Sequence, residues 1–261
     1  MLSIDHNETP YDLNFRIGST HVRVHPFFWL TSILLGWFWF DIGGISYLLM
    51  WVGCTFVSVL LHELGHVWMG MAFGTRGHIV LWSFGGVAIG SNQLESRWQR
   101  IAVSLAGPGI QFALYGVLRL SLPWIFQDSS DVLDISWLVL RANPRATLFV
   151  MLLWINLFWP LLNLLPIWPL DGGMVTRELC VAASRQKGVE TSLLISIGMA
   201  GILAIHCLMA SNGRPLIPYL AWFGGTFMAI FFAMDCVQCI QLYQQERARR
   251  NPWDDDLPWE R

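Results

Sequence analysis

The sequence predicts an all-α polytopic membrane protein with about six transmembrane helices and a short membrane-associated β-hairpin. Three observations carry that reading. Of 261 residues, 54% are hydrophobic and only 13% charged, about half the charged share of a soluble domain. Apolar runs of spanning length recur along the chain. Fifteen Trp and sixteen Phe provide both lipid-facing surface and rings suited to the two membrane interfaces. A net charge of −2 gives no footing for nucleic acid. Five scattered cysteines, odd in number and mostly in apolar segments, do not form a disulfide framework.

Residues 1–25 form a polar N-terminal surface segment without the apolar core of a cleavable signal peptide, so the first spanning helix is expected to act as an uncleaved anchor. Within it, Asn14-Phe15-Arg16-Ile17, Gly18-Ser19-Thr20 and the alternating His21-Val22-Arg23-Val24-His25 read as a short hairpin on the membrane surface. His21 and His25 could add metal ligands, but a solvated strand accounts for them more simply. The membrane core is expected over 26–243. Its first apolar run, 27–40, is short for a span unless tilt or interfacial Trp extend it. Asp41-Ile42-Gly43-Gly44 is a turn into a second run, 45–73.

Residues 77–90 hold two β-prone pieces around Gly85-Gly86, expected as a hairpin or re-entrant loop whose open edge could pair with an extended peptide. A third span, 98–120, carries Ala106-Gly107-Pro108-Gly109, small residues that let helices approach closely. Residues 121–144, with Asp128, Asp131 and Asp134, read as a solvated acidic connector. Further spans are expected at 145–165, 191–210 and 217–242, followed by a polar cytoplasmic tail at 244–261. Cys236-x-x-Cys239 lacks a second pair that would favour a metal or redox role, and His206 reads as a satisfied helix residue. With six spans, twelve Arg and Lys fall on the side of the termini and four on the other, which places both termini in the cytoplasm.

Chemistry concentrates in the second run, at His62-Glu63-Leu64-Gly65-His66. On a helix the two histidines stand one turn apart on one face, where both imidazoles can bind a single zinc ion. Glu63 sits beside them as a general base toward water. With seven His and seven Glu in the chain, about 0.005 such motifs are expected by chance. A charge in hydrocarbon costs about 2.5–3.5 kcal/mol on insertion scales, and a metal is the simplest partner for three ionisable groups within five residues. Catalytic zinc takes three protein ligands. The best candidate for the third is Asp171, a carboxylate in apolar sequence, expected on irregular backbone after the helix-breaking Pro166 and Pro169 and before Gly172-Gly173. A plain Asp-Gly turn is the other reading of that residue.

These motifs resemble the site-2 protease family of intramembrane zinc metalloproteases. The resemblance rests on H-E-L-G-H at 62–66, F-G-G at 84–86, A-G-P at 106–108 and N-L-L-P-I-W-P-L-D-G at 163–172, and covers roughly residues 10–175. It implies one zinc ion per chain held by His62, His66 and Asp171, with Glu63 as general base. It further implies that Asn163 holds substrate near the metal and that Phe84, Gly85 and Gly86 belong to a substrate-facing hairpin. The implied activity is hydrolysis of peptide bonds in or near transmembrane segments of membrane-protein substrates. The implied setting is a multi-pass protein of a bacterial plasma membrane, in contact with lipid, with an oligomer or a regulatory membrane partner as further possibilities. No inserted PDZ domain and no C-terminal nucleotide-sensing domain accompany the motifs, so a minimal catalytic core is expected. The alternative is a non-catalytic metal-binding membrane protein: a transporter, sensor or pseudo-protease scaffold.

Overall fold

The computed structural model describes residues 9–82, 85–89, 94–126, 143–220 and 223–249. Phe84, the acidic connector at 128–134 and the end of the tail lie outside the described residues. The chain divides into two units, one running to Leu162 and the other from Asn163.

In the first unit, strands β1 (Leu13–Ile17) and β2 (Thr20–Val24) form the antiparallel hairpin expected from the sequence, with Phe15 opposite Val22. It does not stand alone. After helices α1 (Pro26–Leu35) and α2 (Trp37–Ala72), strand β3 (His78–Trp82) returns parallel to β2, pairing Val22 with Ile79 and Val24 with Leu81. Strand β4 (Gly85–Ile89) then pairs antiparallel with β3. The two expected hairpins are therefore one four-stranded sheet in the order β1-β2-β3-β4. Its central strands are buried on both faces, as parallel strands require. Val22, Val24, Ile79 and Leu81 pack on Phe28 of α1 and on Val59, Leu60, Leu64 and Val67 of α2.

The first apolar run bends at Gly36 and again at Gly43-Gly44, where Gly44 takes φ 68°, ψ −157°, a region essentially closed to other residues. The run therefore folds back along α2. Trp51 donates its indole N–H to the Ser32 carbonyl at 3.2 Å, Trp39 stacks on Trp51, and Phe28 and Trp29 meet Phe56. α2 ends where the sequence predicts. Gly74, at φ 88°, turns the chain so that its N–H reaches the Met71 carbonyl and that of Thr75 the Gly70 carbonyl, closing the helix with a Schellman motif. Helices α3 (Arg97–Ile125) and α4 (Pro144–Asn163) complete the unit. Leu122, Val150 and Met151 join Trp39, Tyr47 and Cys54 in a second apolar cluster.

The second unit holds α5 (Asp171–Ala183), α6 (Gly188–Ser211), a short 3₁₀ turn at Pro218–Leu220 and α7 (Thr226–Arg249). α6 carries a broad apolar outer face. Leu194, Ile195, Ile202, Ile205 and Leu208 point outward, whereas Ser192, Ser196 and His206 are buried beside Leu193, Leu203 and Cys207. α7 repeats the pattern, with Ile230, Met234 and Val237 outside and Asp235 and Cys239 inside. A soluble amphipathic helix would keep its outer face polar; hydrocarbon accepts these apolar ones. Among the described residues five helices (α2, α3, α4, α6 and α7) are long and apolar enough to cross a membrane. In place of a sixth long helix, the run before Gly43 forms the ten-residue α1 and the first turns of α2.

Candidate metal centre

α2 and α3 meet through small residues. A Cβ on Gly65 would lie 2.7 Å from the Ala106 carbonyl oxygen, so only glycine permits this approach. The close crossing brings His62 and His66 over the turn of α3 that contains Gly107. Both histidines are buried, at 2% and 7% exposure, and their rings stand nearly perpendicular, 4.7 Å apart.

Each ring is oriented by its Nδ1. His66 Nδ1 lies 2.6 Å from the Val103 carbonyl, which can only accept, so this nitrogen carries the proton. His62 Nδ1 lies 2.9 Å from Gln111 Oε1. The amide orientation of Gln111 is fixed because its Nε2 donates to the Ser58 carbonyl at 3.2 Å; Oε1 is therefore an acceptor, and His62 Nδ1 also bears its proton. The two Nε2 atoms then lie 3.1 Å from each other. Two ring nitrogens at this distance share either a proton or a cation. Tetrahedral zinc with Zn–N distances of 2.0–2.1 Å would separate its nitrogens by about 3.3 Å, so the donor pair fits that ion. Gly107 completes the cradle, for its Cβ would fall 2.4 Å from His66 Nε2 and 2.8 Å from His62 Nε2.

Glu63 is buried, at 4% exposure, beside the start of β4. A Cβ on Gly86 would lie 2.3–2.7 Å from its Cγ, Cδ and Oε1, so the glycine backbone lies directly on the carboxylate. The first unit therefore brings His62, Glu63, His66 and Gly86 together, with Gly85 opening the same strand.

Asn163 and Asp171 belong to the second unit. The expectation that Asp171 sits on irregular backbone is corrected in part: the irregular segment is 164–170, and Asp171 is the first residue of α5. A carboxylate is favoured there by the helix N-terminus. The preceding loop is pinned at Trp168, whose N–H donates to Ser196 Oγ at 3.0 Å and whose carbonyl accepts from the Cys239 thiol at 3.3 Å. Gly172 lies so close to the Leu164 carbonyl that a Cβ would sit 2.1 Å from its oxygen.

The remaining candidates take structural places. His25 caps α1, its Nδ1 accepting from Phe27 N–H at 3.2 Å. His206 accepts from Ile217 N–H at 3.2 Å and lies 3.1 Å from the Leu220 carbonyl, fastening the loop after α6. The Cys236 thiol contacts the Ile197 carbonyl. The sequence reading missed Gln111, Ser58 and Asn156. Asn156 is fully buried and donates to Ser58 Oγ and to the Leu152 carbonyl, each at 2.9 Å. Their one sequence signal is polarity within apolar helices, with Ser58 and His62 one turn apart.

The model of peptidase family M50 matches residues 51–128 and 139–205. The chain belongs to peptidase family M50. This M50 chain is 32% identical over 162 residues to a Synechocystis sp. protein that carries a provisional zinc metalloprotease name, covering 58% of this chain and 39% of the relative. It is 28% identical over 183 residues to stage IV sporulation protein FB of Bacillus subtilis, covering 66% and 54%. The chain thus spans roughly two fifths to just over half of these relatives. Among solved structures, the site-2 protease from Methanocaldococcus jannaschii superposes with a TM-score of 0.58 at 23% identity, over 87% of this chain and 94% of that one. It shares the fold.

Proposed function

We propose that this chain is an intramembrane zinc metalloprotease that hydrolyses peptide bonds in or near transmembrane segments of other membrane proteins. The observation that carries the reading is the pair of Nε2 atoms 3.1 Å apart beside a buried Glu63, deep in apolar sequence. His62 and His66 would hold the ion with Asp171 as third ligand, the one carboxylate on the segment that family resemblance aligns with a ligand. Bound zinc supplies Lewis acidity, polarising a carbonyl and acidifying water. Glu63 takes the proton from the attacking water and returns it to the leaving amine nitrogen. β4 pairs with β3 alone among the described strands, and its other edge offers backbone partners to an extended substrate segment. Phe84, Gly85, Gly86 and Asn163 are assigned to holding that segment near Glu63.

The setting proposed is a bacterial plasma membrane with both termini cytoplasmic. The α1 run lying back along α2 supports a first crossing before the five long helices, which keeps the twelve-to-four division of basic residues. The test is cleavage of a transmembrane reporter by the purified protein, wild type beside Glu63→Gln. Cleavage by wild type alone is expected. Equal cleavage by both would remove Glu63 as the base, and cellular function fully retained by the variant would instead favour a non-catalytic metal-binding role.

A further inference from the structure

Gln111 grips His62 from two directions. Its Oε1 accepts from the ring Nδ1 at 2.9 Å, and its Nε2 donates at 3.2 Å to the Ser58 carbonyl, which lies one helical turn before His62. The side chain is fully buried and so has no water to exchange for these partners. Ser58 is itself fixed from α4, where Asn156 donates to its hydroxyl. Residues on three helices therefore converge on the orientation of one imidazole. His66 takes its orientation from a backbone carbonyl, which no side-chain substitution removes, so the two histidines differ in how they are held.

We propose that Gln111 is a positioning residue for the metal centre. It selects the His62 tautomer with the proton on Nδ1 and turns Nε2 toward that of His66, with Asn156 bracing Ser58 behind it. The inference rests on the zinc reading above. Without Gln111 the hold on Nδ1 is lost, and a turned ring or a proton moved to Nε2 would remove a donor. Loss of such a partner lowers metal affinity about 10–100-fold.

The test uses the full-length protein in detergent. Zinc affinity is measured by chelator competition, and the absorption of the Co²⁺-loaded form reports ligand geometry. Wild type is expected to bind one zinc. Gln111→Met, close in shape but apolar, is expected to lose 10–100-fold in affinity with an altered Co²⁺ spectrum. Gln111→Glu, which still accepts from Nδ1, is expected to lose less than tenfold. Gln111→Met binding zinc as wild type does, or Gln111→Glu no better than Gln111→Met, would overturn the assignment. A third measurement does not depend on any variant folding: ¹⁵N-histidine spectra of the metal-free wild type should show the His62 proton on Nδ1, and a proton on Nε2 would refute the proposal. Zinc-free wild type under saturating metal would defeat the metal reading itself, a result separate from any difference among variants.

Discussion

Gly107→Ala is the sharpest perturbation of the centre. The added methyl would stand 2.4 Å from His66 Nε2 and 2.8 Å from His62 Nε2, against ordinary contacts near 3.5 Å, so each ring must retreat by roughly 1 Å. Neither can do so freely, because His66 is held at 2.6 Å by Val103 and His62 at 2.9 Å by Gln111. At least one nitrogen is lost to the metal. If a structural site is worth about 12 kcal/mol over four ligands, one ligand represents about 3 kcal/mol, or roughly 100-fold in affinity. Overpacking adds about 1–3 kcal/mol against folding. Gly109→Ala is the control: it lies on the same helix with nothing within 4 Å of its Cβ, and alanine there should be neutral or stabilising. Chelator competition on both variants reads the difference. Gly107→Ala within tenfold of wild type would refute the cradle.

Three further outcomes follow from other contacts. Gly86→Ala should displace Glu63 and cut reporter turnover at least about tenfold, with zinc affinity unchanged; simultaneous loss of zinc would contradict the separation of base from ligands. Gly44→Ala should destabilise by about 1–3 kcal/mol from backbone strain alone, read by thermal unfolding in detergent, since nothing lies within 4 Å of its Cβ position. Burial pushes Asp12 up, but hydrogen bonds from Thr9 and the charges of His25 and Arg23 outweigh it and hold its carboxyl below the ordinary value. A lowered folded pKa gives stability that is present above the unfolded value and lost as pH falls through the folded one. Asp12→Asn should therefore lower stability at neutral pH and flatten its fall below about pH 4, the two proteins converging in acid, as read by unfolding in detergent across that range.

The parts legible in the sequence are those with local causes. Apolar runs gave the long helices, Gly74 the end of α2, and a one-turn spacing the face shared by His62 and His66. The parallel pairing of β2 with β3 was hidden because Val24 and Leu81 are joined across a helical hairpin, and no local pattern encodes a non-local register. α5 escaped because Asp171–Ala183 is too polar for a span and follows two prolines, which made an irregular reading natural. Gln111 and Asn156 escaped for another reason. A polar side chain in an apolar helix has many uses, and only three-dimensional contact shows that these two meet Ser58.

The central claim is that His62, His66 and Asp171 hold one catalytic zinc. Metal analysis of the purified protein tests it most directly, wild type beside Asp171→Ala and His62→Ala, with reporter cleavage measured on the same samples. One zinc per chain and cleavage in wild type, with affinity and cleavage both lost in each variant, is the predicted result. Wild type without zinc, or Asp171→Ala retaining both its zinc and its activity, would contradict the account.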